Sequence, residues 1–237
     1  MKKNDAADYY DHFSATYERG REAGYHALID EIETGLVLPY ARGKDCLELG
    51  CGTGLILQEV AKVASSARGI DISPGMLEKA RERGLDVELG SVTKLPYEDA
   101  SFDLVYSFKV LAHVEQIGRA LAEAARVTRP GGHMAVEFYN PLSLRYLAKR
   151  LAGPGAIGDA KNESDLFTRW DPPWVIERLL PAGTKLVDLR GVRVVTPAAA
   201  AHRVPVIGQA LAALERRSVM SRLRYFGGFL VAIVERL

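Results

Sequence analysis

The segment from residue 47 to residue 54 reads LELGCGTG and places three glycines at alternate positions directly after an apolar stretch. Glycine carries no Cβ and readily adopts positive φ, so such a turn lets a ligand approach the backbone closely. A helical pattern follows at 55–64, and the free N–H groups at the start of a helix favour electron-rich ligands. The segment therefore predicts a strand over 45–50, a nucleotide-binding turn and a helix.

The same alternation of apolar strand and helical pattern continues as far as residue 139. The further predicted strands are 67–72, 86–90, 102–108 and 133–139, and the further predicted helices are 75–84 and 115–128. Ser73 and Pro74 are predicted to cap and begin the first of these helices, and Pro130-Gly131-Gly132 is predicted to end the second. Helices between strands imply crossover connections and a parallel sheet covered on both faces, with ligands at the carboxyl ends of the strands.

Two more strand patterns, 184–195 and 228–237, are separated by a long insertion that has no good crossover helix pattern. They are expected to form an antiparallel pair at the sheet edge. The predicted fold class is thus α/β: a doubly wound, mostly parallel seven-stranded sheet with an antiparallel pair at its C-terminal end.

Composition excludes several classes of protein. The 237 residues are 48% hydrophobic and 26% charged, as expected for one globular domain, and a net charge of +1 gives no reason to expect a nucleic-acid partner. Cys46 and Cys51 fit neither a metal site nor a disulfide framework, which favours a reducing compartment. With neither a secretory signal nor a run of about 18 apolar residues, the expected location is the cytoplasm, and a peripheral membrane contact stays open.

The spacing of the glycines bears on which nucleotide is bound. Dinucleotide-binding turns have the spacing G-x-G-x-x-G, whereas Gly50, Gly52 and Gly54 have G-x-G-x-G. Asp71, at the end of the second strand, is placed to accept hydrogen bonds from ribose hydroxyls. The alternative is that Asp71 caps the helix opened by Pro74.

Four ordered motifs resemble those of the Rossmann-like S-adenosylmethionine-dependent methyltransferases, particularly small-molecule enzymes of quinone and natural-product biosynthesis. These are LELGCGTG, then GIDISPGMLEKA at 69–80, GSVTKLPYEDASFDLVYSFKVLAHV at 90–114 and ARVTRPGGHMAVE at 125–137. The resemblance implies a Rossmann-like fold and S-adenosyl-L-methionine as cofactor.

Carried over position by position, the resemblance assigns a set of cofactor-binding residues. They are Tyr17, Glu48, Gly50, Gly52, Gly54, Asp71, Ile72, Met76, Ser91, Val92, Ser107 and Phe108. Glu48 would lie near the cofactor's ammonium, Asp71 would hold the ribose, and Ile72 and Met76 would pack on adenine. Ser91 and Val92 depart from the family pattern, in which an Asp at this site commonly bonds the adenine amine. Tyr17 has ordinary helix packing as its alternative.

His113 and His12 are the candidate catalytic residues, each a possible general base, with packing as the alternative role for His113. The expected layout is an N-terminal helical lid at 1–40, a cofactor-binding core at 44–139, an acceptor-binding cap at 140–181 and a C-terminal strand pair at 182–237.

The cap contains Trp170 and Trp174, which form either an aromatic wall over the acceptor or ordinary packing. The apolar segment 198–214 has four possible roles: a substrate-channel lid, a homodimer face, a membrane contact or a buried helix.

The expected reaction is in-line methyl transfer to a small organic acceptor at a hydroxyl oxygen, which needs alignment, desolvation and a modest base. An NAD-linked oxidoreductase and a cofactor-binding protein without catalysis are the alternatives.

Overall fold

The computed structural model describes residues 9–11, 14, 17–18, 21, 24–152, 156–157, 161–162 and 167–237. His12 lies outside the described residues. Seven strands form one sheet in the order β3-β2-β1-β4-β5-β9-β8. Their bounds are β1 Asp45–Leu49, β2 Ser66–Asp71, β3 Asp86–Leu89, β4 Phe102–Ser107, β5 Thr128–Tyr139, β8 Thr184–Val192 and β9 Phe229–Arg236, and a separate short ribbon pairs β6 Ala156–Ile157 with β7 Lys161–Asn162.

The pairing confirms the predicted fold class. The first five strands are mutually parallel, whereas β9 runs antiparallel to both β5 and β8. From β1 the chain winds outward through β2 and β3 and then returns to place β4 on the other side of β1. The carboxyl ends of β1 and β4 therefore border the point where strand order reverses, which is where such sheets bind ligands.

Helices cover both faces of the sheet. They are α1 Gly24–Ala41, α2 Leu55–Ala61, α3 Pro74–Glu82, α4 Ile117–Val127, α5 Leu144–Ala152, α6 Pro173–Leu179 and α7 Pro205–Ser218, with 3₁₀ turns at Leu111–His113, Ala199–Arg203 and Arg222–Phe226. The predicted start of α3 is confirmed, because the Ser73 side chain accepts a hydrogen bond from the Met76 N–H and Pro74 takes the first helical position. Among the described residues, no helix has the length and apolar character needed to span a bilayer.

The central strands are buried on both faces. In β4, Leu104 and Tyr106 belong to one buried cluster and Val105 belongs to the other. This is the alternation that a strand covered on both sides produces. The cluster around Tyr106 also contains Ile29 and Val37 of α1, so this helix packs into the core. The helical lid expected at 1–40 stays a prediction.

The prediction that Pro130-Gly131-Gly132 separates the fourth helix from the fifth strand is wrong. The helix ends at Val127, and β5 begins immediately at Thr128 and runs through the tripeptide. Pairing with β4 shifts register between Phe102 and Leu104, and this irregularity accommodates residues that would interrupt a regular ladder.

The apolar segment 198–214 does not form a buried helix. In α7, the side chains of Val206 and Ile207 are 78% and 50% exposed. The buried anchor of this helix is Glu215, whose carboxylate accepts hydrogen bonds from the backbone N–H groups of residues 194–196. A substrate-channel lid, a dimer contact and a peripheral membrane contact stay predictions for this surface.

Candidate active site

One cavity of about 480 Å³ opens at the carboxyl ends of the parallel strands. The strand ends and the loops after them contribute Gly50, Gly52, Asp71, Ile72, Ser91, Val92, Thr93, Phe108, Lys109, Val110 and Tyr139 to its lining. Other elements contribute Tyr9, Tyr10, Tyr17, Arg21, Tyr25, His26, Ile29, Met76, His113, Val114, Arg145, Lys149, Thr168, Arg193 and Phe229. The cavity therefore lies where the winding of the sheet predicts a ligand site.

The three positions of the turn after β1 are occupied by glycine for different physical reasons. A Cβ on Gly50 would lie 2.3 Å from Val110 Cγ2, and a Cβ on Gly54 would lie 2.3 Å from Leu85 Cδ1. These two positions are closed by packing. Gly52 has φ of 54° and would meet nothing within 4 Å, although it lines the cavity, so open space stands where a side chain would project.

Asp71 lies at the end of β2 and braces this turn. Its carboxylate accepts hydrogen bonds from the Gly52 N–H at 2.8 Å and from the Ser73 N–H at 2.9 Å. Burial raises the pKa of Asp71, and the backbone N–H groups of Ser73, Gly52 and Ile72 oppose that shift. Because Ser73 is the cap of α3, the alternative in which Asp71 caps this helix is wrong. A carboxylate has about four acceptor positions, so the backbone contacts do not use all of them.

The structure brings most of the predicted site residues together. Those that line the cavity are Tyr17, Gly50, Gly52, Asp71, Ile72, Met76, Ser91, Val92, Phe108 and His113. Ser91 keeps its hydroxyl within the loop after β3, where the oxygen lies 2.9 Å from Thr93 Oγ1.

Glu48, Gly54 and Ser107 do not line the cavity. The Glu48 carboxylate accepts a hydrogen bond from the Tyr106 hydroxyl at 3.3 Å, and burial raises the pKa of Glu48 well above its ordinary value. The Ser107 hydroxyl donates to the Leu49 carbonyl at 2.9 Å. These two side chains link β1 to β4. They do not line the cavity, because alternate side chains of a strand point to opposite faces.

The described residues of the N-terminal segment are held over the cavity by polar contacts. Asp11 accepts a hydrogen bond from the Gly75 N–H at 2.6 Å, at the start of α3. Both oxygens of Glu18 bond Arg83 at 2.9 and 3.0 Å, near the end of the same helix. Tyr17 lines the cavity, with the Arg21 guanidinium 4.5 Å from its ring centre. This placement favours the cofactor-site prediction for Tyr17.

Lys109 is a site residue that sequence reasoning did not predict. It follows β4 with φ of 61°, an uncommon value for a residue with a side chain. Its ammonium bonds Asp30 at 2.8 Å and Glu33 at 2.6 Å, and its backbone N–H donates to Glu137 at 3.0 Å. Burial alone would lower the pKa of Lys109, but the acidic neighbours raise it well above its ordinary value. These contacts fix the loop in a strained conformation.

His113 lies at the end of the 3₁₀ turn after β4, as predicted beside the site. Its Nδ1 is 2.9 Å from the Phe167 carbonyl, which can only accept, so Nδ1 carries the proton. Nε2 therefore carries the lone pair and lies 3.4 Å from the Tyr139 hydroxyl. Burial raises the pKa of Tyr139 to about 12, so this phenol stays protonated near neutral pH.

Neither tryptophan of the cap lines the cavity. Trp170 packs with its ring centre 5.4 Å from that of Tyr139, and Trp174 is 60% exposed. Tyr25, Tyr139 and Phe229 line the cavity instead and supply aromatic surface there. Tyr139 and Phe229 lie at the ends of predicted strands. Both could have been found by asking which side chains lie at the strand ends on this edge of the sheet.

Comparison with known families supports the sequence resemblance. Residues 47–136 match the profile of a family described as a methyltransferase domain. This part of the chain is similar to that domain.

Two curated proteins named as methyltransferases are similar to this chain. The chain is 37% identical over 132 residues to a demethylmenaquinone methyltransferase of Tropheryma whipplei, which covers 49% of this chain and 54% of that protein. It is 34% identical over 167 residues to the 27-O-demethylrifamycin SV methyltransferase of Amycolatopsis mediterranei, covering 63% of this chain and 58% of that one. The chain thus spans little more than half the length of either relative.

The fold has solved counterparts over nearly the full chain. A SAM-dependent methyltransferase of Thermotoga maritima, described as a possible histamine N-methyltransferase, superposes with a TM-score of 0.69 over 97% of this chain and 98% of that one, at 21% identity. Tyr139, Arg145 and Arg193 lie beyond the segment that matches the methyltransferase domain, so that domain supplies one part of the cavity and the later residues supply another.

Proposed function

We propose that this protein is an S-adenosylmethionine-dependent methyltransferase that methylates a small organic molecule, at a hydroxyl oxygen. The observation that carries the proposal is that Gly52, Asp71 and His113 line the same cavity. The matched family and the two curated relatives, both named methyltransferases, support the reaction class.

The lining of the cavity fits the cofactor. The open space at Gly52 leaves room for a ligand against the backbone, and Asp71 retains acceptor positions for ribose hydroxyls. Ile72, Met76 and Val92 supply an apolar wall suited to an adenine ring. Ser91 offers a hydroxyl in place of the family's carboxylate.

When bound, S-adenosylmethionine supplies a methyl group on a cationic sulfur, and no protein nucleophile is needed. The protein must hold the acceptor in line, exclude water and take one proton from the acceptor hydroxyl. His113 suits the last task, because the Phe167 carbonyl fixes its tautomer and leaves the Nε2 lone pair beside Tyr139.

Cofactor binding is tested by calorimetry with S-adenosylhomocysteine and, separately, with NAD. We expect S-adenosylhomocysteine to bind and NAD not to bind; binding of NAD alone would establish the oxidoreductase alternative. Incubation with methyl-labelled cofactor and a panel of phenols, quinols and sugars then tests transfer. Cofactor binding without transfer to any of them would favour the non-catalytic alternative.

The base is tested by His113→Gln. This variant should lower kcat by about 10²–10⁴-fold, the usual contribution of a general base, while the affinity for S-adenosylhomocysteine stays unchanged. His133→Gln is the matched control, because His133 stacks on Tyr40 with ring centres 4.7 Å apart and does not line the cavity. Equal activity of the two variants would remove His113 from the mechanism.

A further inference from the structure

We propose that the methyl acceptor is an anionic aromatic molecule whose carboxylate is bound by Arg145 and Arg193. This inference rests on the proposed function and names the substrate class of the same cavity. Arg145, Lys149 and Arg193 all line the cavity, and all lie beyond the matched methyltransferase domain.

The charges around the cavity are not balanced. Asp71 is the one carboxylate residue in the lining, as far as the structure describes the chain. Arg21 and Lys109 in the lining have acidic partners, since Arg21 pairs with Asp30 and Lys109 pairs with Asp30 and Glu33. Arg145 and Arg193 concentrate positive charge in another part of the cavity.

Within the described residues, neither Arg145 nor Arg193 forms an ion pair with a carboxylate. Nη1 of Arg145 is buried and has no hydrogen-bond partner there. Glu215, the carboxylate whose charge acts on Arg193, is engaged by three backbone N–H groups. A buried donor without a partner costs stability. The Arg145 guanidinium can therefore gain a hydrogen bond from an acceptor that a ligand supplies.

The two arginines converge. A Cβ built on Gly228 would lie 3.1 Å from Arg145 Cδ and 3.3 Å from Arg193 Cδ, so both side chains pass over the same glycine. Burial lowers the pKa of Arg193, and the like charge of Arg145 lowers it further. An anion between the two side chains would remove this repulsion.

The stability of α5 does not explain its cations. Arg145 occupies the first turn of the helix, where the dipole disfavours positive charge. Lys149 follows four residues later on the same face, and like charges at this spacing destabilise a helix. Both side chains therefore stand at positions that helix stability would not select, and both line the cavity.

Aromatic rings surround the guanidinium groups. Arg145 Cζ lies 4.4 Å from the ring centre of Tyr139 and 4.7 Å from that of Phe229, and Arg193 Cζ lies 4.9 Å from that of Tyr25. Rings that cover the faces of a guanidinium leave its in-plane N–H groups for hydrogen bonds. In Arg193, Nε already donates to the Thr196 carbonyl and Nη2 to the Pro197 carbonyl. Arg145 therefore offers its buried Nη1 to a carboxylate, and Arg193 adds positive charge beside it. The same rings suit the flat body of an aromatic acid.

The test measures binding of 4-hydroxybenzoate, its neutral counterpart 4-hydroxybenzamide and phenyl phosphate to the protein saturated with S-adenosylhomocysteine. We expect the carboxylate to bind about tenfold or more tightly than the amide, because only the anion neutralises the two arginines. Arg145→Met should lower carboxylate affinity by about tenfold or more while leaving the affinity for S-adenosylhomocysteine unchanged.

Arg150→Met is the matched control, because Arg150 lies on the same helix, is exposed and does not line the cavity. Equal binding of acid and amide, an equal loss in both variants, or no binding of any probe would overturn the inference. Tighter binding of phenyl phosphate than of the carboxylate would also overturn it in favour of a phosphate-bearing acceptor. Failure of wild-type protein to bind S-adenosylhomocysteine would instead overturn the proposed function, and thermal melts establish that both variants fold.

Discussion

Gly52 is the position where the glycine pattern acquires a specific physical meaning. Its neighbours Gly50 and Gly54 are glycines because a Cβ would strike Val110 or Leu85, whereas a Cβ at residue 52 would enter open space in the cavity lining. The sequence pattern treats the three glycines alike. Only the packing distinguishes the one that faces a ligand from the two that face protein.

Gly52→Val should abolish the binding of S-adenosylhomocysteine, since the branched side chain would fill the space of the ligand. The variant should also lose about 1–2 kcal/mol of stability, the cost of a left-handed conformation for a residue with a Cβ. Calorimetric titration measures the first effect and urea denaturation the second.

Gly43→Val separates these effects. Gly43 has φ of 65° and, like Gly52, has nothing within 4 Å of a built Cβ, but it does not line the cavity. It should lose similar stability and bind the ligand normally. Normal binding by Gly52→Val would contradict the cavity placement of residue 52.

The site residues differ in how far sequence could place them. Asp71 was predictable, because it ends a strand at the ligand edge and its carboxylate suits ribose. Glu48 and Ser107 line no part of the cavity, because their partners are Tyr106 and the Leu49 carbonyl in the adjacent strand. Which face a side chain occupies depends on strand phase, and both faces of these strands are buried.

At the scale of elements, a buried acid–base cluster joins α1, the loop after β4 and β5. Glu33 is fully buried and bonds the Lys109 ammonium, and Glu137 accepts from the Lys109 backbone N–H. The remaining oxygens, Glu33 Oε1 and Glu137 Oε2, have no donor among the described residues. Burial raises the pKa of Glu137 well above its ordinary value, so Glu137 is the protonated member and can donate to Glu33.

Glu137→Gln should preserve the fold and change the pH dependence of stability. Native Glu137 holds a proton that the unfolded chain releases, so the free energy of unfolding falls as pH rises from the unfolded pKa to the native one. This one group contributes a slope of about −1.4 kcal/mol per pH unit over that window. Glutamine cannot ionise, so the variant should gain stability relative to wild type as pH rises through the window. Urea denaturation at a series of pH values measures the difference.

Glu33→Gln is the contrasting change in the same cluster. It leaves the buried Lys109 ammonium with Asp30 as its remaining carboxylate partner among the described residues and should therefore lose about 3–5 kcal/mol of stability, the cost of breaking a buried pair. A constant stability difference between wild type and Glu137→Gln at all pH values would contradict a raised pKa of Glu137 in the native protein.

Local sequence patterns predicted the strands and helices better than the boundaries and contacts between them. The positions of strands and helices from residue 45 to residue 139 followed from apolar periodicity and caps. The Pro130-Gly131-Gly132 boundary failed, because β5 begins at Thr128, which pairs with Phe102, and the tripeptide lies in the irregular register before His133 pairs with Leu104. The cluster around Lys109 joins residues 79 positions apart, from Asp30 to Lys109, and no local signal connects them.

At the scale of the whole molecule, the two cysteines report on global stability. Both thiols are free and buried, Cys46 in β1 and Cys51 in the turn that follows. Burial raises the pKa of the Cys46 thiol to about 12 and that of Cys51 above its ordinary value. Neither should react with a disulfide reagent in the native protein, because the thiolate is the reactive form.

The folded protein should react negligibly, and two thiols should react when urea unfolds it. Saturating S-adenosylhomocysteine should slow the native reaction, because a ligand that binds only the folded state reduces the open population. A disulfide-reagent assay with and without ligand measures both effects. Rapid native reaction of either thiol would contradict its burial.

The sequence by itself determined the fold class, the glycine turn and Asp71, because periodicity, glycine spacing and strand ends are local properties that survive in any arrangement of the chain. The tertiary structure decided which glycine faces the cavity and gave Lys109 its acidic partners. It also brought Arg145 and Arg193 together over Gly228, across 48 positions of sequence. Such convergence depends on the pairing of β9 with β5 and β8, which brings residues that are far apart in the sequence to one edge of the sheet.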